Sequence, residues 1–435
     1  MKQLTFLTAM TILMGPLLLA QQTTRASAGD SFEDIAALRQ RVSDLEQRIA
    51  ILEQQLRVLQ GMQAPPAEAQ AEVPPPPAPP PAAPTPTPSV AQETQVPVGQ
   101  LPTYGGASSL AKVLNPDISI IGDFIGKVGG NPVQPSSSLE MHESEAGLQA
   151  IIDPYARGDF FLSFGGSGVE LEEGYITFTS VPGVVARAGK MRSAFGKVNQ
   201  LHNHTLSWVD RPLVIDNLLG GEEGISDAGV SVSRIIPAPK GLFLEAAGQV
   251  FRGDSGEDET PVFRASRSSD VSAVAHLRSY ADLSESTNFD LGLSYARGHN
   301  ELGSGFVTHL YGLDGTVRWK PLRRSIYHSF VFRSELIWSQ RREPAALQRA
   351  FGFYGSADYQ LARRWFLGGR YDWSERSREA EVADRGGSLI LTFSPSEYSQ
   401  IRGQYRVTNY NHSITTNELF LQLLFSLGAH GAHPF

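Results

Sequence analysis

From residue 114 onward the chain alternates between apolar and polar side chains with a period of two. In 365–373, Trp365, Leu367, Gly369, Tyr371 and Trp373 share one face, and Phe366, Gly368, Arg370 and Asp372 share the other. In 417–427, Leu419, Leu421, Leu423, Phe425 and Leu427 fall on one side. In 326–338, Phe330, Phe332, Leu336 and Trp338 oppose Arg333 and Glu335. This is the periodicity of a strand with one face in an apolar medium. It predicts sixteen strands, at 116–127, 142–152, 155–164, 170–179, 184–192, 228–236, 242–252, 269–279, 288–297, 306–319, 326–338, 350–361, 365–373, 386–394, 398–408 and 417–427. Many reach the length of roughly 9–11 residues that a tilted strand needs to cross a bilayer.

The connections should alternate in length. Short ones are expected at 153–154, 181–183, 236–241, 320–325, 362–364 and 394–396, and longer ones at 193–227, 253–268 and 374–385; 165–169 breaks the rule. Four of the five tryptophans, Trp319, Trp338, Trp365 and Trp373, lie near strand ends, as in an interfacial girdle. The predicted fold is therefore all-β: a 16-stranded antiparallel transmembrane β-barrel over 112–435. Closure is required, because an open edge in lipid would leave backbone groups unpaired.

The period changes ahead of the barrel. Ile35, Val42, Ile49 and Leu56 occupy one core position of a heptad, and Leu38, Leu45, Leu52 and Leu59 the other. A coiled coil over 31–60, roughly 45 Å long at about 1.5 Å per residue, is expected to self-associate. The branched residues favour a parallel dimer, whereas fusion to a trimeric barrel would impose a homotrimer. Residues 64–111 form a proline-rich linker, which includes Pro74-Pro75-Pro76-Pro77 and cannot build a core. Such a stalk would stand in the periplasm and could contact peptidoglycan. Lys2 and the apolar run Leu4–Ala20 read as a secretory signal over 1–28, with a second cleavage point after Ala20.

Composition narrows the rest. The 435 residues include no cysteine, which excludes a lipid-modified cysteine anchor, disulfides and thiolate ligands. A net charge of -8 with no basic tract gives no reason to expect a nucleic-acid partner. No nucleophile elbow stands in a strand–turn–helix context, so no enzyme is expected.

A sixteen-stranded barrel is too wide to be filled by its wall side chains alone. The longest connection, 193–227, carries Phe195, Leu206, Trp208, Val209, Leu213 and Val214, which require burial. Folding into the lumen would bury them and narrow the pore; packing over the mouth or against a neighbouring subunit is the rival. His202, His204, Trp208, Asp210 and Arg211 are the candidates to line the constriction. His202 and His204, two apart, could face one ligand together, but no third donor stands in register, and no metal or cofactor is assigned. His430 and His433 are expected at the opposite end of the barrel.

By alternation Arg187, Arg278, Arg318, Arg333, Arg370, Arg402 and Arg406 point inward, with Glu245, Asp290, Asp314, Glu335 and Asp372 opposing them. A cationic surplus in a low-dielectric wall would favour anions. Acids of the long connection, such as Asp216, Glu222 and Glu223, offset it. The expected function is an outer-membrane porin passing small polar solutes, with lipid around it. The alternative is a structural or receptor-like barrel that tethers the outer membrane to peptidoglycan.

Four stretches carry a family resemblance: LNPDISIIGDF at 114–124, GKMRSAFGKVNQLHNHTLSWVDRPLV at 189–214, EGISDAGVSVSR at 223–234 and FSLGAHGAHPF at 425–435. On these the barrel resembles the phosphate-selective porin O/P-like and DcaP-like outer-membrane porins, and related proteins labelled zinc-regulated TonB-dependent receptors. The resemblance implies sixteen strands, frequent trimerisation and an inward third external loop. A TonB-dependent receptor would need a plug domain, for which the coiled coil and proline tract leave no room. No lysine ladder is found, so phosphate selectivity is not carried over.

Overall fold

The structure is a computed structural model that describes residues 117–165, 168–256, 261–411 and 413–428. The signal, the coiled coil, the proline-rich linker, His430 and His433 lie outside the described residues. Sixteen strands follow in order: β1 Asp117–Val128, β2 Leu139–Asp153, β3 Ala156–Gly165, β4 Gly168–Phe178, β5 Val184–Arg192, β6 Ser226–Ile236, β7 Leu242–Phe251 and β8 Ser272–Ser284. The second half comprises β9 Thr287–His299, β10 Val307–Trp319, β11 Phe330–Arg342, β12 Leu347–Ala362, β13 Trp365–Glu375, β14 Ala383–Ser396, β15 Ser399–Tyr410 and β16 Ile414–Gly428. Each pairs antiparallel with its sequence neighbour, and β1 pairs with β16, so the sheet closes on itself without an edge.

All sixteen predicted strands are present, with two displaced. The strand expected at 326–338 begins at Phe330, because 321–328 coil into hydrogen-bonded turns: Tyr327 N–H and His328 N–H both donate to the Arg324 carbonyl. The connection expected at 320–325 is therefore 320–329. The strand expected at 269–279 runs on to Ser284 through an irregularity between Asp282 and Ser284. The length asymmetry of the connections is partial. At the end that carries 193–225 and 252–271 there are also short connections at 343–346 and 411–413.

The alternation has a physical reading in the exposures. Leu419, Leu421, Leu423, Phe425 and Leu427 of β16 are exposed, whereas Glu418, Phe420, Gln422 and Leu424 between them are buried. The exposed face is the apolar one, the inverse of a soluble protein and the arrangement lipid demands. Aromatic rings on that face gather toward both rims. Tyr295 and Tyr311 pack at 5.3 Å, Trp338 and Phe351 at 5.0 Å, and Phe353 and Trp373 at 6.2 Å. Toward the other rim, Trp365 stacks on Phe393 at 4.6 Å and Trp319 closes β10. Tyr311 and Trp319 are separated by roughly 27 Å of strand at about 3.4 Å per residue. With a tilt of about 40° this leaves roughly 20 Å along the barrel axis, close to the apolar band of outer-membrane barrels.

Candidate functional site

The connection between β5 and β6 is a structured segment. It contains 3-10 turns at Val198–Gln200 and Asn203–Thr205 and a short helix, α1, at Leu213–Leu219, which ends on Gly220 with φ of 84°. Asn199 ties its two ends together. Its Nδ2 donates to the Ser193 and Ile225 carbonyls at 3.0 and 3.1 Å, and its Oδ1 accepts Ile225 N–H at 2.8 Å. Arg211 braces the interior: Nε donates to Asn203 Oδ1 at 2.8 Å, and the two terminal nitrogens donate to the Val198 and Leu201 carbonyls. Burial lowers the Arg211 guanidinium to about 10, still charged at neutral pH.

One side of this segment rests on β9 to β16, always on the face opposite the exposed apolar one. Consecutive strands there place Asp290, Thr316, Arg333, Ser356, Arg370, Ser388, Arg406 and Glu418 side by side in register, charged groups alternating with small hydroxyls as far as Arg406, which faces Glu418 directly. The hydroxyls leave room for what crosses them. Lys197 reaches Asp290 at 2.7 Å, and Val198 N–H donates to Glu335 at 2.8 Å. Asp210 is held by Arg370 at 2.8 Å and Arg406 at 2.7 Å, and Gln404 Nε2 donates to its other oxygen. Gln404 Oε1 accepts Val209 N–H at 2.8 Å. Arg402 donates to the Leu206 and Trp208 carbonyls at 2.8 and 3.1 Å. Burial alone would raise the Asp210 carboxyl, but Arg370 and Arg406 outweigh it and hold it well below the usual carboxylate range.

Apolar contacts follow the same path. Trp208 meets Tyr354 edge-on at 5.3 Å and lies under the Arg370 guanidinium at 5.0 Å. Phe195, Val214, Ile215 and Leu219 are fully buried, in one cluster with Leu310, Ile337 and Ile390 of the strands. Glycines in the strands admit them. A Cβ at Gly352 would stand 2.8 Å from Val214, and one at Gly312 would stand 3.1 Å from the Phe195 ring.

The other side of the segment meets β2 and β4. Both strands bulge here. Against β1 the register of β2 skips His142, and against β3 the register of β4 skips Glu172. A bulge re-aims the extra side chain, so Glu172 joins Glu173 beside Glu143 and Glu145, while His142 turns to Asp123 and Glu222. His202, fully buried, is inserted among them. Its Nδ1 lies 2.7 Å from Glu145 and 2.5 Å from Glu172, and its Nε2 lies 3.0 Å from Glu173. His204 packs beside it, ring centroids 5.7 Å apart, and Phe161 lies 5.3 Å from the His202 ring. Burial would discharge the His202 imidazole, but bonds to Glu145, Glu172 and Glu173 prevail and hold it well above its ordinary value.

Most of the candidate residues thus sort into three groups, with Arg211 inside the segment and Arg333 and Arg187 standing apart. Arg370, Asp372, Arg402, Arg406, Glu335, Trp208 and Asp210 meet in one buried network, and Asp372 bonds Arg370 at 2.8 Å. His202 and His204 belong to the glutamate cluster. Arg278 and Arg318 stay substantially exposed, their side chains 41% and 39% accessible, and share Asp290 with Lys197. Arg333 pairs with Asp358 at 2.5 Å, and Arg187 is exposed beside the Tyr175 ring. Glu143, Glu145, Glu172 and Glu173 were not singled out from sequence. Acids two apart within a membrane strand were the available signal for the first pair.

No protein-family model matches the sequence. An uncharacterised protein of Aquifex aeolicus is 27% identical over 336 residues, covering 68% of this chain and 70% of that protein. Among solved structures, an anion-selective porin from Comamonas acidovorans superposes with a TM-score of 0.51 at 11% identity, over 71% of this chain and 98% of that one. The chain has the fold of outer-membrane porins. OmpT of Vibrio cholerae lacking loop L8 (TM-score 0.50, 10% identity, 72% of this chain and 100% of that one) and OprB of Pseudomonas putida (0.50, 8%, 73% and 95%) share this porin-like barrel. Identities this low establish the architecture and no single family.

Proposed function

We propose that this porin-like barrel is an outer-membrane channel for passive diffusion of small polar solutes, narrowed by the segment 193–227 folded into its lumen. The observation that carries the reading is where the segment's bonds end. Glu335, Asp290, Arg370, Gln404 and Arg406 all stand on the face opposite the lipid-type one, and in a closed barrel that face lines the lumen. The segment rests on β9 to β16 on one side and on β2 and β4 on the other. Along β8 to β10 Lys197, Arg278 and Arg318 gather around Asp290, with Asp314 buried nearby and Glu245 opposite Arg278 on β7. Arg278 and Arg318 are the accessible groups here while Asp290 and Asp314 are buried, and that difference in exposure favours anionic solutes. The acids of the neighbouring network are buried, Glu335 and Asp372 among them, and face the passage less. Trimeric association, with the stalk in the periplasm, completes the proposal.

Planar-bilayer recordings of the purified protein test it. Stepwise conductance with a reversal potential on the anion side of zero in a KCl gradient is expected. A reconstituted barrel that passes no current would overturn the reading.

A further inference from the structure

We propose that Glu143, Glu145, Glu172 and His202 form a binding site for one divalent transition-metal ion, which pins the long segment to β2 and β4. One ligand atom from each of the four residues lies within 4.8 Å of all the others. Three carboxylate oxygens and one imidazole nitrogen form a donor set suited to Zn2+, Mn2+ or Fe2+. Such ions hold their ligand atoms roughly 3–3.5 Å apart, given metal–ligand bonds of about 2.0–2.2 Å. The present spacing needs only small adjustment.

Two further observations point to a ligand. Glu143 is only 6% exposed, yet no N–H group or cation reaches either carboxylate oxygen; its polar neighbour is another carboxyl, that of Glu172, and it faces the other three donors. A buried carboxylate without a donor is costly, and a cation in the cluster would remove that cost. Secondly, Glu173 Oε2 lies 3.0 Å from His202 Nε2. With Nε2–H donated to Glu173, Nδ1 is directed at Glu145 and Glu172, where a metal ion would replace its proton, giving the carboxylate–histidine–metal arrangement that orients a ligating imidazole. The charge count agrees. Four glutamates converge, and Arg192 reaches Glu172 only at 3.9 Å.

This inference is independent of the diffusion reading, since the site would hold the segment in a conducting or a closed barrel alike. The test is calorimetric titration of the full chain in detergent, stripped with a chelator, using ZnCl2, MnCl2 and MgCl2. One Zn2+ per chain is expected, bound more tightly than Mn2+ and at least 1000-fold more tightly than Mg2+, on the order expected for a nitrogen-containing set. Glu143→Gln should weaken Zn2+ binding by about 100-fold and Glu173→Gln by about 10- to 100-fold. A second readout needs no variant: Zn2+ should slow amide hydrogen exchange over 199–206 and leave 208–212 unchanged. Binding at the C-terminal histidines would not produce that protection. Zn2+ affinity unaltered by Glu143→Gln, or exchange at 199–206 indifferent to Zn2+, would overturn the proposal.

Discussion

The 193–225 segment is anchored by buried charge at two places, His202 and Asp210, and the two anchors work in opposite ways. On β13 to β16 the signs balance. Asp210 sits between Arg370 and Arg406, those arginines are completed by Asp372 and Glu418, and Lys127 supplies the third cation 2.8 Å from Glu418. On β2 and β4 the signs do not balance, since His202 is met by Glu145, Glu172 and Glu173 with Glu143 beside them. A balanced cluster is a self-sufficient latch. An acidic cluster built around one imidazole calls for further positive charge, so conditions that leave the first latch untouched should act on the second.

The largest effect should come from Asp210→Ala, which leaves Arg370 and Arg406 buried without their shared carboxylate. Breaking a buried pair by removing one partner costs about 3–5 kcal/mol. The segment should release at 208–214, seen as faster hydrogen exchange there and a larger single-channel conductance, while 199–206 stays protected. Next is Gln404→Leu, which strands Val209 N–H and one oxygen of Asp210. A loss of about 1–3 kcal/mol, read as a lower unfolding midpoint, is expected. Gly352→Val would press a side chain against Val214 and Ser374, an overpacking cost of about 1–3 kcal/mol that the same measurement reads.

Acid distinguishes the anchors further. A carboxylate whose folded value is depressed stabilises the fold above its unfolded value of about 3.9, and the contribution is lost as pH falls from there toward the folded value. Asp210 is such a group, with burial opposing and Arg370 and Arg406 prevailing. The Asp210 latch should therefore hold from about pH 8 to pH 5 and open only in strongly acidic solution, read as faster hydrogen exchange at 208–211, and Asp210→Asn should abolish that acid-induced change. The smallest effect is on selectivity: Arg278→Glu with Arg318→Glu should move the reversal potential toward cations without changing stability measurably.

Most of the barrel was legible in the sequence because a strand exposed to lipid on one face writes its period into the side chains. Leu419 to Leu427 and Trp365 to Trp373 state it directly. The start of β11 was not, because Ile326 and Tyr327 are apolar residues of an exposed turn. The latch residues Arg370, Arg402 and Arg406 could be assigned to the inner face by counting in twos. Their partners in the long segment could not, since they depend on how that segment coils. The glutamate cluster was hidden for a different reason. A bulge adds one residue to the count, so Glu172 and Glu173, adjacent in sequence, approach the same histidine, and no periodicity announces it.

The central claim is that the segment occupies the lumen and limits the passage, and single-channel conductance of a chain with residues 198–222 replaced by a short glycine–serine link tests it most directly. The account predicts steps several-fold larger than those of the intact protein at the same salt concentration. Steps of unchanged size would show that the segment does not narrow the pore.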